Sequence, residues 1–207
     1  MGLWGPVFAA GETLDRVEAS AGNVAITASD VWEEYRLELF LKGTTSAVEP
    51  DAATLERVRD RLLDQTILEQ EAEAEGVERA DLDQQAAQAL SEVRRLYASD
   101  EAYHTALRER GLTEAQILNR LQSQVLALRL IDQRLRPSAW VERSEIEAYY
   151  AETFVPQFNR QNTGPAPSLD DVEAQIREIL VQKKIDQLLT GWLAELKVGR
   201  RATLHSF

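Results

Sequence analysis

The sequence predicts a mainly α-helical protein of about six helices, with a small sheet formed by an N-terminal hairpin and a C-terminal strand. Apolar residues recur with the period of an α-helix through most of the chain, and helix-capping residues separate the periodic segments. Two strand-like runs flank Gly22-Asn23, a two-residue link that suits a tight hairpin. The final residues, RATLHSF, are typical of a terminal strand.

Composition restricts the classes of function. A chain of 207 residues with 44% hydrophobic residues can bury a sizeable core, and its net charge of -12 argues against a nucleic-acid partner. It has no run of roughly 18–20 apolar residues that would span a membrane. Cysteine is absent, and only His104 and His205 represent histidine, which leaves little material for a metal site. Without a glycine-rich phosphate loop, we expect no ATP site and no cofactor.

The N-terminal segment, residues 1–12, contains a short apolar run that ends in small residues. This resembles the end of a secretory signal, but no Lys or Arg precedes it. We interpret residues 1–12 as a flexible tail or as the remnant of an export signal or lipid-anchor region. Residues 13–207 then form a single domain, which begins with hairpin strands at Leu14–Ala21 and Val24–Thr27.

The first helix begins at Thr27, which can cap it together with Asp30, and ends at about Lys42 before Gly43. Its apolar residues occupy two sides, so the helix is either sandwiched or offers one apolar face to a partner. The two stripes are Val31, Trp32, Tyr35 and Leu39 on one side, and Leu37, Phe40 and Leu41 on the other.

Four further helices follow from caps and apolar periodicity. They run from Pro50 or Asp51 to Gly76, from Asp81 to Ala98, from Ser99 to about Arg110, and from Thr113 to Arg136. The acidic run EQEAEAEGVE in the first of these is interpreted as a solvated face, because no histidine or aromatic pocket accompanies it. In the last of them, Leu126 and Leu130 lie opposite the main apolar stripe.

The remaining chain contains the longest helical pattern. After a link with Trp140, Ser144 opens a short helix through Phe154, and residues 156–167 are the most loop-like stretch. Ser168 to Leu196 then predicts one long helix whose apolar face changes sides near Val181. We expect this helix to be a brace with different partners along its two halves, around which the other elements are organised.

The succession of elements resembles the chaperone domain of the SurA-like periplasmic foldases, relatives of the parvulin-type peptidyl-prolyl isomerases. The likeness rests on the order and spacing of LDRVEASAGNVAITASD, RLLDQTILEQEAEAEGV, LTEAQILNRLQSQVLALRLI, SEIEAYYAETF and VEAQIREILVQKKIDQLLTGWLAELK. It covers about residues 13–207, and no single motif in it is specific. The resemblance implies an N-terminal part at 13–155, the usual parvulin insertion point at loop 156–167, and a C-terminal helix and strand at 168–207.

By this resemblance the protein is an ATP-independent chaperone, or holdase, that acts in the periplasm or elsewhere after export. It would bind unfolded or extended client polypeptides during export or outer-membrane protein assembly. Isomerase activity is not expected, because the loop leaves no room for a parvulin domain and the chain lacks cysteine. One alternative is a dedicated scaffold or assembly partner of one specific protein, and another is an unrecognised enzyme. A domain-swapped homodimer is also open, because the loop could let the brace reach a second molecule.

Apolar residues in excess of one buried stripe per helix are the candidates for client binding, since aromatic and aliphatic groups bind unfolded chains without demanding one sequence. The alternative is that the first half of the brace covers them. The ten candidates are Leu37, Phe40, Leu41, Leu126, Leu130, Trp140, Tyr149, Tyr150, Phe154 and Phe158.

Overall fold

The computed structural model describes residues 15–44 and 49–205, which form a mainly helical fold with one small antiparallel sheet, as the sequence predicts. The expected N-terminal tail, Leu14 and residues 206–207 lie outside the described residues. The elements are β1 (Val17–Ala21), β2 (Val24–Thr27), α1 (Ala28–Leu41), α2 (Ala52–Ala74), α3 (Leu82–Arg95), α4 (Asp100–Glu109), α5 (Glu114–Leu135), α6 (Arg143–Tyr149), a π-helical turn (Tyr150–Phe154), α7 (Val155–Gln161), α8 (Leu169–Gly199) and β3 (Thr203–Leu204). A short 3-10 turn (Arg136–Ser138) follows α5.

The sheet joins the two ends of the described chain. Its order is β2-β1-β3, with both neighbours antiparallel to β1. Gly22 adopts a φ of 60° in the hairpin link, a backbone conformation that glycine reaches without steric cost. The hydroxyl groups of Ser20 and Thr203 lie 2.7 Å apart, and the His205 N–H donates to the Glu18 carbonyl at 2.9 Å. The predicted pairing of the C-terminal segment with the hairpin is therefore confirmed.

Local hydrogen bonds set most helix starts where the sequence predicts them. Reciprocal capping boxes join Thr27 to Asp30, Thr113 to Gln116, and Ser168 to Asp171. Asp51 and Ser99 cap α2 and α4 by accepting from backbone N–H groups three residues on. Each cap satisfies donors that a helix start leaves without intrahelical partners.

Three helix ends differ from the prediction by three residues or more. Helix α3 ends at Arg95 rather than Ala98. Residues 156–161 are helical rather than part of the loop, because α7 continues from the π-helical turn without a break, with Pro156 in its first turn. Helix α8 continues to Gly199, and Arg201, not a glycine, takes the left-handed conformation after it, with a φ of 51°.

The change of face along α8 is confirmed. Its first half buries Val172 and Ile176 against Ile146 of α6, whereas Ile185 in its second half packs on Leu135 at the end of α5. Beyond Ile185, half-buried apolar residues of α8 cover a cluster built from α2 and α5. The two halves of α8 therefore rest on different parts of the fold.

Helix α5, rather than α8, is the element around which the described chain is organised. It contacts α1, α2, α3 and α8. The cluster formed by α1, α3, α4 and α5 includes Phe40, Tyr103 and Ile117 but no residue of α8. The expectation that the other elements pack around the long C-terminal helix is therefore wrong for this part of the core, because the second apolar stripe of α1 is covered by α3 and α4.

Candidate peptide-binding site

Four of the ten sequence candidates lie in the core. Leu37 and Phe40 of α1 are 6% and 0% exposed, and Leu126 and Leu130 of α5 are 4% and 0% exposed. The Phe40 ring lies 5.1 Å from that of Tyr97 and 5.3 Å from that of Tyr103. The folded protein cannot present these four side chains to a client, which corrects the expectation for them.

The physical reason is the same for both helices: each is sandwiched. The second stripe of α1 meets α3 and α4, and Leu41 at its end is half-buried against the same cluster. The second stripe of α5 meets α2, with half-buried residues of α8 over it. Apolar residues on two sides of a helix were therefore a sign of two packing partners.

The other five candidates lie along α6, the π-helical turn and α7, and just before them. Tyr150, Phe154 and Phe158 succeed one another at four-residue intervals and stack, with ring centroids 5.8 Å apart for the first pair and 6.1 Å for the second. We name these three residues the aromatic ladder. All three are half-buried, and Tyr149 beside them is half-buried as well.

The inner side of the aromatic ladder rests on α8. Tyr150 and Phe154 pack on a cluster whose buried members include Ile146, Val172 and Ile176. The Tyr150 hydroxyl donates to the carbonyl oxygen of Pro167 at 2.8 Å, which ties the ladder to the segment leading into α8. Support from below and a hydrogen bond at one end hold the rings in place while part of each remains open to solvent.

Trp140 lies before α6 with 72% of its surface exposed. Its backbone carbonyl accepts a hydrogen bond from Lys184 Nζ, which also pairs with Glu145 at 2.8 Å. The hydrogen bond from Lys184 to Glu145, aided by one from the backbone N–H of Glu142, lowers the pKa of the Glu145 carboxyl. Lys184 thereby fixes the Trp140 backbone against α8 and leaves the indole in solvent.

A cation also flanks the ladder at Tyr149, where Lys183 Nζ lies 4.6 Å from the ring centroid. Such a contact attracts the ammonium to the negative face of the ring. The site therefore combines exposed aromatic surface with two lysines from α8.

Sequence reasoning missed the π-helical turn. Its signature is the hydrogen bond from the Val155 N–H to the Tyr150 carbonyl, five residues back. Single π turns inside helices are uncommon and occur frequently at functional sites. No residue type marks one in a sequence, although the closely spaced aromatic residues did mark the segment.

Within residues 15–44 and 49–205, no three His, Asp or Glu side chains are grouped so that they could hold a metal ion. The helices of these same ranges include none that is both long and apolar enough to cross a bilayer.

No protein-family model matches the chain, and no curated protein matches it at a significant level. The site is therefore defined by its geometry alone: a row of aromatic rings that packs on α8, the exposed indole of Trp140, and two lysines of α8.

Proposed function

We propose that the protein is an ATP-independent holdase that binds unfolded or extended polypeptide segments, without isomerase activity, during export or outer-membrane protein assembly. The observation that carries the proposal is the aromatic ladder, half-exposed and supported by α8. Trp140, 72% exposed before α6, adds a second exposed aromatic side chain. The resemblance of the element order to the SurA-like chaperone domains points to the same activity and to the periplasm or another exported location.

The dimensions of the ladder suit a short extended segment. Tyr150 and Phe158 are eight residues apart, which corresponds to about 12 Å along a helix. An extended chain covers that distance with about four residues. Rings that are already ordered lose little conformational entropy on binding, and their faces accept many side chains. Binding of this size is weak and reversible, so release needs no nucleotide.

The proposal is tested by replacing Trp140 and Phe158 with Ser, singly and together, and measuring how well each variant suppresses aggregation of two unrelated unfolded proteins. We expect holding capacity per folded molecule to fall, with stability changed by less than about 1 kcal/mol for the exposed Trp140. Phe40→Ser is the matched core control. It should cost about 3–5 kcal/mol of stability because it empties a buried site.

Unchanged holding by the double variant, with its fold intact, would remove the aromatic ladder as the client site. A single stoichiometric partner together with no suppression for unrelated clients would instead favour the runner-up function, a dedicated scaffold or assembly partner of one protein.

A further inference from the structure

Strand β2 is an edge strand of the sheet, and no further strand pairs with its outer edge within residues 15–44 and 49–205. On β1, the backbones of Glu18 and Gly22 bond to His205 and Arg200 on the β3 side, so the backbone of Ser20, midway between them, faces that side as well. The register partner of Ser20 on β2 is Ala25. This pairing turns the N–H and carbonyl of Ala25 away from β1. An unpaired edge of this kind is a template for another extended chain.

Two hollows that share two lining residues meet at the Val24 end of β2, and we name them together the trench. The first, of about 310 Å³, lies between β2, α1 and α2, and the second, of about 490 Å³, continues along α2 toward α5. Val24 and Thr66 border both hollows. The wall on α2 reaches from Leu62 to Glu73, which corresponds to about 16 Å of helix and to about five residues of an extended chain.

The trench is acidic. Asp30 and Glu33 of α1 line the first hollow, and Glu69 and Glu73 of α2 line the second. The Asp30 carboxylate also accepts hydrogen bonds from Thr27 in the capping box of α1, and Glu69 accepts one from Gln65 Nε2 at 2.9 Å. No ion pair joins any of these four carboxylates to a Lys or Arg within residues 15–44 and 49–205. Arg79 is the cation among the residues that line the hollows. Glu34, also in the first hollow, is by contrast paired with Arg120 at 2.9 Å.

We propose that this trench is a second polypeptide-binding site, which takes an extended segment carrying Lys or Arg side chains by adding it as a strand to the edge of β2. Backbone hydrogen bonds at Ala25 align the segment, and the carboxylates of α1 and α2 select its charge. The inference rests on the proposed function for the nature of the ligand, but it assigns a different site and a different chemistry from the aromatic ladder.

Fluorescence anisotropy with two labelled seven-residue peptides, one alternating Thr with Lys and one alternating Thr with Glu, tests the charge selection. The Thr-Lys peptide should bind at least ten-fold more tightly than the Thr-Glu peptide, and its Kd should rise between low salt and about 0.15 M salt because the contact is electrostatic. The double variant Glu33→Lys with Glu73→Lys should abolish this preference. Glu109→Lys with Glu195→Lys is the matched control, since it makes the same change of net charge at exposed positions outside the trench.

The backbone contact is tested with two Thr-Lys peptides, one N-methylated at the odd positions and one at the even positions. Methylation of one set should weaken binding at least ten-fold and methylation of the other should leave it unchanged, because the N–H groups of only one set face β2. Ala25→Pro removes the outward N–H while leaving the bonds to β1, and it should weaken the unmethylated peptide.

Equal binding of the two peptides, binding of neither, or the same effect from the trench and control variants would overturn the assignment. The charge-reversed trench variant should still suppress aggregation of an aromatic client that lacks Lys and Arg. Loss of that activity would show that the trench and the ladder are not separate sites and would also overturn it. The two proposals are told apart because the trench variant should lose peptide selectivity and keep holding activity, whereas the variant with Trp140 and Phe158 replaced by Ser should lose holding activity and keep peptide selectivity.

Discussion

At the scale of single residues, the buried carboxylate of Glu34 and Arg120 form a charged pair that joins α1 to α5. Glu34 is 3% exposed and its carboxylate accepts from Arg120 Nε at 2.9 Å. Burial raises the pKa of the Glu34 carboxyl, and the nearby Arg120 guanidinium opposes that rise without cancelling it. The charged form of Glu34 therefore carries a cost at neutral pH that the pair only partly offsets.

This raised pKa gives a pH-dependent prediction for Glu34→Gln. A carboxyl whose pKa is higher in the folded state contributes stability below the ordinary value of 4.5 and loses it as pH rises through the folded-state value. Urea unfolding of both proteins across this pH range should show the wild type losing stability relative to the Gln variant as pH increases. A difference that stays flat or grows in favour of the wild type would contradict the assignment.

Arg120→Ala supplies the complementary measurement at neutral pH. It leaves Glu34 buried without its partner and should cost about 3 kcal/mol of stability. Glu34→Gln should cost less, because the Arg120 that remains in that variant is only half-buried and can be hydrated.

At the scale of elements, the π-helical turn determines the direction in which α7 presents Phe158. Deleting Glu152, an exposed residue within the turn, should convert the turn to regular α-helix and leave α7 in its present orientation, because the five-residue hydrogen bond already absorbs one extra residue. We expect helix content by circular dichroism and client holding to be retained. Deletion of Gln157, an exposed residue of α7, leaves the π turn intact but rotates the residues that follow, including Phe158, by about 100°, so client holding should fall. Loss of holding after the Glu152 deletion, or full holding after the Gln157 deletion, would contradict this account of the turn.

The C-terminal segment is a second element with a testable contribution. Buried Arg59 on α2 donates to the His205 carbonyl at 2.6 Å, and Arg200 bonds to Gln70 and Glu71 of the same helix. Removing residues 200–207 should cost about 2 kcal/mol or more, which lowers Tm by about 4–8 °C in a protein of this size. Ser20→Ala, which removes a single exposed hydroxyl contact with Thr203, should lower Tm less. An unchanged Tm after truncation would show that β3 adds no stability.

At the scale of the whole molecule, the helices differ in how many neighbouring helices they pack against. Helix α5 takes part in clusters with α1 through α4 and with α8, whereas the cluster that holds α6 and the π turn, with Tyr150 and Phe154, is completed by α8. Hydrogen exchange should therefore be slowest for amides of α5 and faster for those of α6 and α7, because opening α6 and α7 exposes less buried apolar surface to water. Equal protection of the two regions would contradict this order.

A domain-swapped homodimer stays a prediction, which light scattering on the purified protein can test.

Much of the local structure could be predicted because its causes lie within a few residues. Thr27 with Asp30 and Ser168 with Asp171 form caps by hydrogen bonds across three positions, and Gly22 relieves the turn of the hairpin. Periodicity also showed that the apolar face of α8 changes sides. Each of these features depends on backbone geometry and side-chain chemistry that the sequence states directly.

Only the tertiary structure decided which surplus apolar residues are core and which form a surface. Phe40 and Phe158 were equivalent candidates in the sequence, but Phe40 meets Tyr97 and Tyr103 from later helices, whereas Phe158 stacks on Phe154 and remains half-exposed. The acidic trench likewise combines carboxylates from α1 and α2 with the edge of β2. Burial and shared surfaces depend on which distant elements meet, and a local pattern of residues does not contain that information.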